Sequence, residues 1–252
     1  VFHMCETWAY LFPGLTIEVL DMVKGKKETY SYSDGVKDLI KNNTSKAVNK
    51  SIIYNKVKED GVTIEVALQW SRERTTKDFV YTNGLQQVNG GTSLTGARPA
   101  LTRTLNSLTG EKLSGDSARK GLVWAINARV PKASFSDQTK TKVNNPELRG
   151  AADKAVSDAL RSFSSKNPSE WEKIVEVLVK EEKAERAAEL ARERVLNTEK
   201  EIMESSRKGN IDLPEKVVDA TNKTGYRELF LTEGDSASGF LKATRDAATQ
   251  GV

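Results

Sequence analysis

The sequence predicts an α/β (α+β) chain: a mixed sheet with helices packed on it, then long connector helices, then the first strand and helix of a second α/β layer. Three observations predict this. Val62, Ile64, Val66, Leu68 and Trp70 alternate with Thr63, Glu65 and Gln69, the period of a half-buried antiparallel strand. A strand at Asp78–Tyr81, a helix carrying Leu94, Ala97, Leu101, Leu105 and Leu108, and a strand through Leu122, Trp124, Ile126, Ala128 and Val130 follow one another. That order is a crossover unit, which is right-handed by rule. From Asn145 the texture turns helical and highly charged.

Leu15, Ile17 and Val19 form a strand that turns at Lys24–Gly25–Lys26 toward Thr29–Tyr32, a hairpin. Asp34 opens a short helix with Val36, Leu39 and Ile40 on one face, ended by Asn42–Thr44. The turn Glu59–Asp60–Gly61 precedes the alternating strand. Asn145 is placed to cap a helix with Pro146 in its first position. Its apolar stripe is Ala152, Ala155, Val156, Ala159, Leu160 and Phe163. Asn167–Pro168–Ser169–Glu170 reads as cap, proline and capping-box carboxylate of the next helix. That helix should run to about Met203, with Ala184, Ala188, Ala191, Val195 and Ile202 as a thin apolar seam between solvated charges. Ser205–Asn210 reads as a linker, and a new domain should begin near Tyr226. There Leu229–Thr232 reads as a buried strand, with Asp235 or Ser236 capping the helix that follows.

Composition narrows the classes. The 252 residues are 37% hydrophobic and 29% charged, with a net charge of +4. That is a globular balance compatible with an anionic partner. No apolar run is long enough to cross a bilayer. The single Cys5 excludes an internal disulfide and a cysteine-based zinc site and fits a reducing cytosol. The single His3 has no triad partner. The chain opens on Val1 with no signal-peptide pattern and closes on Gly251–Val252, so both ends read as cuts through a longer protein.

Three segments carry chemistry. In Asn89–Leu108, Gly90 and Gly91 permit unusual backbone angles and close approach, and Arg98 and Arg103 are the cations of the following helix. On pattern alone, a glycine turn feeding a helix with solvated arginines explains this segment as well. In Lys132–Val143, Gln138 offers an amide and Lys140 a compact cation, both suited to a terminal phosphate. A solvated loop is the plainer account of that tripeptide. In Arg227–Phe240, Glu233 ends a strand, where a carboxylate can hold Mg²⁺ or move a proton. The plainer account has Asp235 capping a helix and Glu233 in water, but Glu-Gly-Asp-Ser-Ala after an apolar run is a fairly specific string.

Together these segments resemble type IIA DNA topoisomerase subunits of the gyrase B, topoisomerase IV B and phage type. VALQW at 66–70, GGTSLTGARPALTRTLNS at 90–107, GLVWAINARVP at 121–131 and FSDQTKTKVNNPELRG at 135–150 are similar to the transducer, a ribosomal-protein-like α/β fold. LPEKVVDA at 213–220 and ELFLTEGDSASG at 228–239 are similar to the entry into the TOPRIM domain. The resemblance implies a transducer over 1–163, connector helices over 164–225 and a truncated TOPRIM domain over 226–252. It implies that Lys140 reaches the ATP γ-phosphate with Gln138 as partner, and that Arg98 lines the passage of transported DNA. It also implies that Glu233, with Asp235 as the motif's second carboxylate, serves Mg²⁺ binding and DNA cleavage and religation. The implied activity is ATP-dependent passage of one duplex through a break in another. Its partners would be double-stranded DNA, a gyrase A-type breakage-reunion subunit and a second copy of the ATPase region, in the cytoplasm and away from membranes. The rest of the ATP pocket, the Asp-x-Asp of TOPRIM and the nucleophilic tyrosine would lie outside this chain, which alone should be inactive. The rival readings are a non-catalytic nucleic-acid-binding module and another TOPRIM enzyme, a primase or nuclease. Pro99 departs from the family's usual alanine and should delay or bend its helix; with the short Leu108–Ser114 segment it suggests a divergent, phage-type member.

Overall fold

Strand-forming alternation needs a partner on each edge, and the hairpin turn supplies the first one. Asp60 (φ 48°) and Gly61 (φ 78°) both adopt the left-handed backbone that a two-residue hairpin requires. They pair β3 (Ile53–Glu59) with β4 (Val62–Trp70) in antiparallel register, Glu59 opposite Val62. The structure, a computed structural model, describes residues 1–207, 217–222 and 224–252, with the side chains of 198–207 outside the description.

Before β3 come α1 (Phe2–Leu11), β1 (Thr16–Asp21), β2 (Lys26–Ser31) and α2 (Val36–Asn43). After β4 come β5 (Lys77–Thr82), β6 (Leu85–Gln86), α3 (Thr92–Thr109), α4 (Gly115–Arg119), β7 (Leu122–Arg129) and α5 (Glu147–Lys166). The chain continues through α6 (Pro168–Arg207), β8 (Glu228–Leu229), α7 (Asp235–Thr244) and β9 (Gln250–Gly251). It divides into two compact units, Val1–Ala188 and Glu189–Val252, with the boundary inside α6.

In the first unit the sheet order is β3-β4-β7-β5-β6. Only β5 and β7 are parallel, and α3 joins them, which is the expected crossover. The β1–β2 hairpin also forms as read, as a separate two-stranded sheet. One face of the main sheet presents Leu68, Trp70, Trp124 and Ile126 to α3, α5 and the start of α6. The other face presents Ala67, Val123 and Ala125 to Tyr10 and Leu11 of α1 and Leu39 and Ile40 of α2. By sequence this second face is half in water. In the structure β4 is buried on both faces, because α1 and α2 cover the side that carries Glu65 and Gln69. Those polar groups tolerate burial because each is bonded. Glu65 pairs with Lys56 at 2.7 Å and accepts from Asn127, and Gln69 donates to the Asn49 carbonyl at 2.6 Å.

Helix α3 runs unbroken from Thr92 through Pro99, so the proline does not delay its start. A Cβ on Gly96 would stand 2.1 Å from the Arg149 carbonyl oxygen, so α3 and α5 meet there at backbone contact. Two expected caps have other roles. Asn145 does not cap α5; its amide accepts from Ser134 N–H and donates to the Lys132 carbonyl and Glu147, tying down the loop after β7. Glu170 does not close a capping box, because it accepts from the backbone and hydroxyl of Ser51 at 2.9 and 2.8 Å. Both local alternatives lost to tertiary partners. Trp171, Ile174 and Leu178 seat the start of α6 in the main core. Ala184, Ala188, Ala191 and Val195 are exposed, and Ile202 lies outside the described side chains.

Glu182 fastens α6 to the loop before α4. It accepts from Ser114 N–H at 2.7 Å and from Arg186 Nε at 2.6 Å, while Arg186 also donates to the Lys112 carbonyl. Burial raises its pKa, but these hydrogen bonds outweigh burial and hold it at about 2. A depressed folded pKa gives stability that is present above the ordinary glutamate range and lost as pH falls toward the folded value. Glu182→Gln should therefore flatten the loss of thermal stability between about pH 4.3 and 2. Melting curves across that window check it; an unchanged acid limb would remove Glu182 from the linkage.

In the second unit β8 and β9 pair in parallel, Glu228 opposite Gln250, with α7 as the crossover between them. Val218 exchanges both backbone hydrogen bonds with Val252 on the far side of β9. The buried strand expected at Leu229–Thr232 does not form as read. The strand covers Glu228–Leu229, and Leu231 is 89% exposed. A strand is buried by flanking strands and covering layers, and among the described residues β8 has β9 alone beside it. Neither Asp235 nor Ser236 caps α7; Gly234 does, at φ 89°, without a side-chain bond. Ser205 is helical, and the remainder of the expected linker at 208–210, with 213–216 of the LPEKVVDA segment, lies outside the described residues.

Candidate functional site

The loop after β7 is built as a rigid projection. Phe135 bridges Val143, Ser136 N–H donates to the Lys142 carbonyl, and Asn144 N–H to that of Ser134. At its tip Asp137 accepts from the Thr139 hydroxyl and from both the backbone and hydroxyl of Thr141. Those bonds, that of Thr139 foremost, hold the Asp137 carboxyl below its ordinary range. Gln138 and Lys140 stand exposed on this tip, and Lys140 adopts a left-handed backbone, φ 56°.

A second loop braces the first. Gln87 Nε2 donates to the Lys140 carbonyl at 3.2 Å, and Asn89 bonds Thr141 through both its backbone N–H and its side chain. Thr92 N–H, in the first turn of α3, donates to the Val143 carbonyl. This contact explains Gly91: at φ 141°, a Cβ there would lie 2.5 Å from the Val143 oxygen. The double glycine therefore serves close approach, as its sequence suggested.

Arg98 sits in the second turn of α3 and donates to Asp78 on β5 at 2.6 Å, with its side chain 44% exposed. Asp78 also accepts from the Trp124 indole, so this carboxylate fixes the arginine's direction. Arg98 borders a hollow of about 300 Å³ with Asp78, Gln87, Asn89 and Leu94. Arg103 is engaged by Asp153. The structure thus gathers Gln138 and Lys140 on one loop, and sets Arg98 on the helix that this loop braces. Sequence reasoning missed the braces Gln87, Asn89 and Asp137, and the partner Asp78. Only Asp137 had a local signal, the Asp137–Thr139–Thr141 spacing of a side chain that can bond its own turn.

In the second unit Glu233 is exposed on the turn between β8 and α7. Asp235 opens α7 and, with Phe230, Thr232, Gly234 and Ser238, lines a hollow of about 370 Å³ beyond the strand end. Glu233 is not among its walls. No group of three or more potential metal ligands occurs among the described residues.

The fold is that of gyrase B-type ATPase domains. It aligns with the 43K ATPase domain of Thermus thermophilus gyrase B over 76% of this chain and 55% of that one, TM-score 0.67 at 24% identity. It aligns likewise with gyrase B of Myxococcus xanthus, over 70% and 58%, TM-score 0.61 at 20% identity. The DNA gyrase B family model matches residues 33–194. Sequence relatives include the DNA gyrase B protein of Synechocystis sp., 36% identical over 96% of this chain and 23% of that protein. The chloroplastic/mitochondrial gyrase B of Nicotiana benthamiana is 35% identical over 97% and 35%. The gyrase B of Thermotoga maritima is 31% identical over 99% and 41%. The chain belongs to the DNA gyrase B family. It spans 23% to 41% of the length of these relatives. The match does not favour the rival readings, a non-catalytic module or another TOPRIM enzyme.

Proposed function

We propose that this chain is the coupling segment of an ATP-dependent type II DNA topoisomerase subunit. In that subunit, ATP binding and hydrolysis drive one duplex through a transient break in another. The observation that carries the reading is the braced loop: an exposed amide and ammonium held beyond a central strand by the segment that leads into α3. Such groups fit a terminal phosphate, because they are positioned before the ligand arrives. Lys140 would balance charge on the γ-phosphoryl oxygens and Gln138 would orient it. Arg98, presented by Asp78, would contact the backbone of transported DNA. Glu233 would hold or move a proton at the cleavage centre. Mg²⁺, when bound, supplies charge neutralisation at phosphate oxygens. Glu233 and Asp235 suit it chemically as hard oxygen donors, but two carboxylates fall short of a complete set. The partners would be double-stranded DNA, a gyrase A-type subunit and a second copy of the ATPase region. The compartment would be the cytoplasm; among the described residues no helix is long and apolar enough to cross a membrane.

Arg98→Gln in the full-length subunit, reconstituted with its breakage-reunion partner, tests this reading. DNA stimulation of ATP hydrolysis should fall more than the basal rate, by about tenfold if one desolvated ionic contact of 1.4 kcal/mol is lost. The stimulation should also weaken with rising salt. Absence of ATP-dependent strand passage by the wild-type pair would overturn the function itself. Equal loss of both rates in the variant would instead mean that Asp78, left with the Trp124 indole but without its cation, distorts α3 and β5.

A further inference from the structure

At the end of the sheet away from the Gln138–Lys140 loop, a second basic site is assembled that the coupling reading does not use. The eight residues of β7 separate the two ends by about 26 Å. A hollow of about 180 Å³ lies there, walled by Ser71, Arg72, Arg74, Lys120, Val177, Lys180 and Glu181. Four cations thus converge from three elements: the loop after β4, the turn into β7, and α6. One carboxylate is among them, and Arg74 takes it in an ion pair. The neighbouring Glu73 is drawn off toward Lys46. Arg72, Lys120 and Lys180 make no ion pair among the described residues.

The convergence is held by backbone. Ser71 N–H donates to the Gly121 carbonyl at 2.8 Å, and a Cβ on Gly121 would lie 2.2 Å from the Ser71 oxygen. That approach sets Lys120 beside Arg72. Arg72 N–H is in turn fixed to the Lys46 carbonyl, and Arg74 holds a left-handed backbone, φ 61°. Like charges repel, and a fold gains no stability from gathering them. A rigid, unneutralised cluster at a concave surface is an anion site awaiting its counter-charge.

We propose that this hollow is a phosphate-contact site for the backbone of a DNA duplex, separate from Arg98. The proposal rests on the nucleic-acid reading above and deepens it. The contacts are to phosphates, so they position the duplex and carry no sequence preference. Neutralising three phosphates contributes a salt slope of about 2.7.

The test uses this chain and a short DNA duplex, with binding measured by fluorescence anisotropy across a salt series. The triple variant Arg72→Gln, Lys120→Gln, Lys180→Gln should lower the salt slope by about 2.7 and affinity at physiological salt by about 100-fold. The charge-keeping variant Arg72→Lys, Lys120→Arg, Lys180→Arg should retain both. Thermal melting confirms that the variants fold. Unchanged duplex binding in the glutamine variant would overturn the site and leave the topoisomerase reading intact. Loss of tripolyphosphate binding with duplex binding unchanged would assign the hollow to free phosphates and equally overturn the proposal. A wild-type chain that binds no duplex overturns the proposal by itself, whereas failure of the topoisomerase reading is seen separately in the strand-passage assay.

Discussion

Replacing Lys140 by alanine in the full-length subunit is expected to lower ATP turnover by about 10²- to 10³-fold, the cost of removing one preorganised charge-stabilising donor. The substitution should leave the loop standing. Its shape is set by Asp137 gripping Thr139 and Thr141, by Gln87 donating to the backbone carbonyl of residue 140, and by Asn89 holding Thr141. None of those bonds uses the lysine ammonium. The left-handed backbone at residue 140 is borne equally by alanine, since both residues carry a Cβ. The melting temperature should therefore be unchanged while turnover collapses. Steady-state ATP hydrolysis beside a thermal melt separates the two quantities. Wild-type turnover in the variant would remove Lys140 from the mechanism. A lowered melting temperature would make the loss one of folding. Gln138→Ala should be milder, because an amide offers no net charge to a phosphate.

The parts of this architecture that were legible in the sequence are those specified by local chemistry. Asp60–Gly61 can turn a two-residue hairpin and little else, and the structure pairs β3 with β4 across it. The apolar spacing of α3 between two expected strands pointed to a crossover, and β5 and β7 are parallel. What was not legible depends on partners far along the chain. Glu65 and Gln69 mark a solvated face by composition, yet α1 and α2 cover it because each polar group found a bond beneath them. Asn145 and Glu170 stand where caps belong, but the orphan groups they satisfy lie on the loop after β7 and at Ser51. A capping pattern records which side chains can bond locally and says nothing of what competes for them. Leu229 and Leu231 read as buried because they are apolar, whereas burial needs a covering layer that the second unit does not supply among the described residues. For the site, the double glycine gave away the close approach to Val143, while the braces on the loop fell in segments with no periodic signal.

Glu233→Gln in the reconstituted enzyme is expected to reduce DNA cleavage by about 10²- to 10⁴-fold, the range for loss of a positioned proton-transfer group. The amide keeps the size of the carboxylate and removes its charge and basicity, so the turn should be preserved. Glu233 is exposed, and the backbone there is set by Gly234 at φ 89°, which glutamine at 233 does not disturb. Duplex binding should survive, since phosphate contacts are made by cations. This chain alone should bind Mg²⁺ weakly. Mg²⁺ demands near-octahedral oxygen coordination, keeps several waters and is bound through carboxylates together with substrate phosphates. Here Asp235 borders the hollow beyond β8, Glu233 stands outside its walls, and no third acidic, histidine or cysteine group joins them among the described residues. Calorimetry of Mg²⁺ with the chain and a cleavage assay on the reconstituted variant read the two halves independently. Tight binding by the chain would mean that Asp235 and its neighbours complete a site without DNA. Full cleavage by Glu233→Gln would leave Glu233 a solvated residue on a turn and return the proton and metal roles to groups beyond this segment.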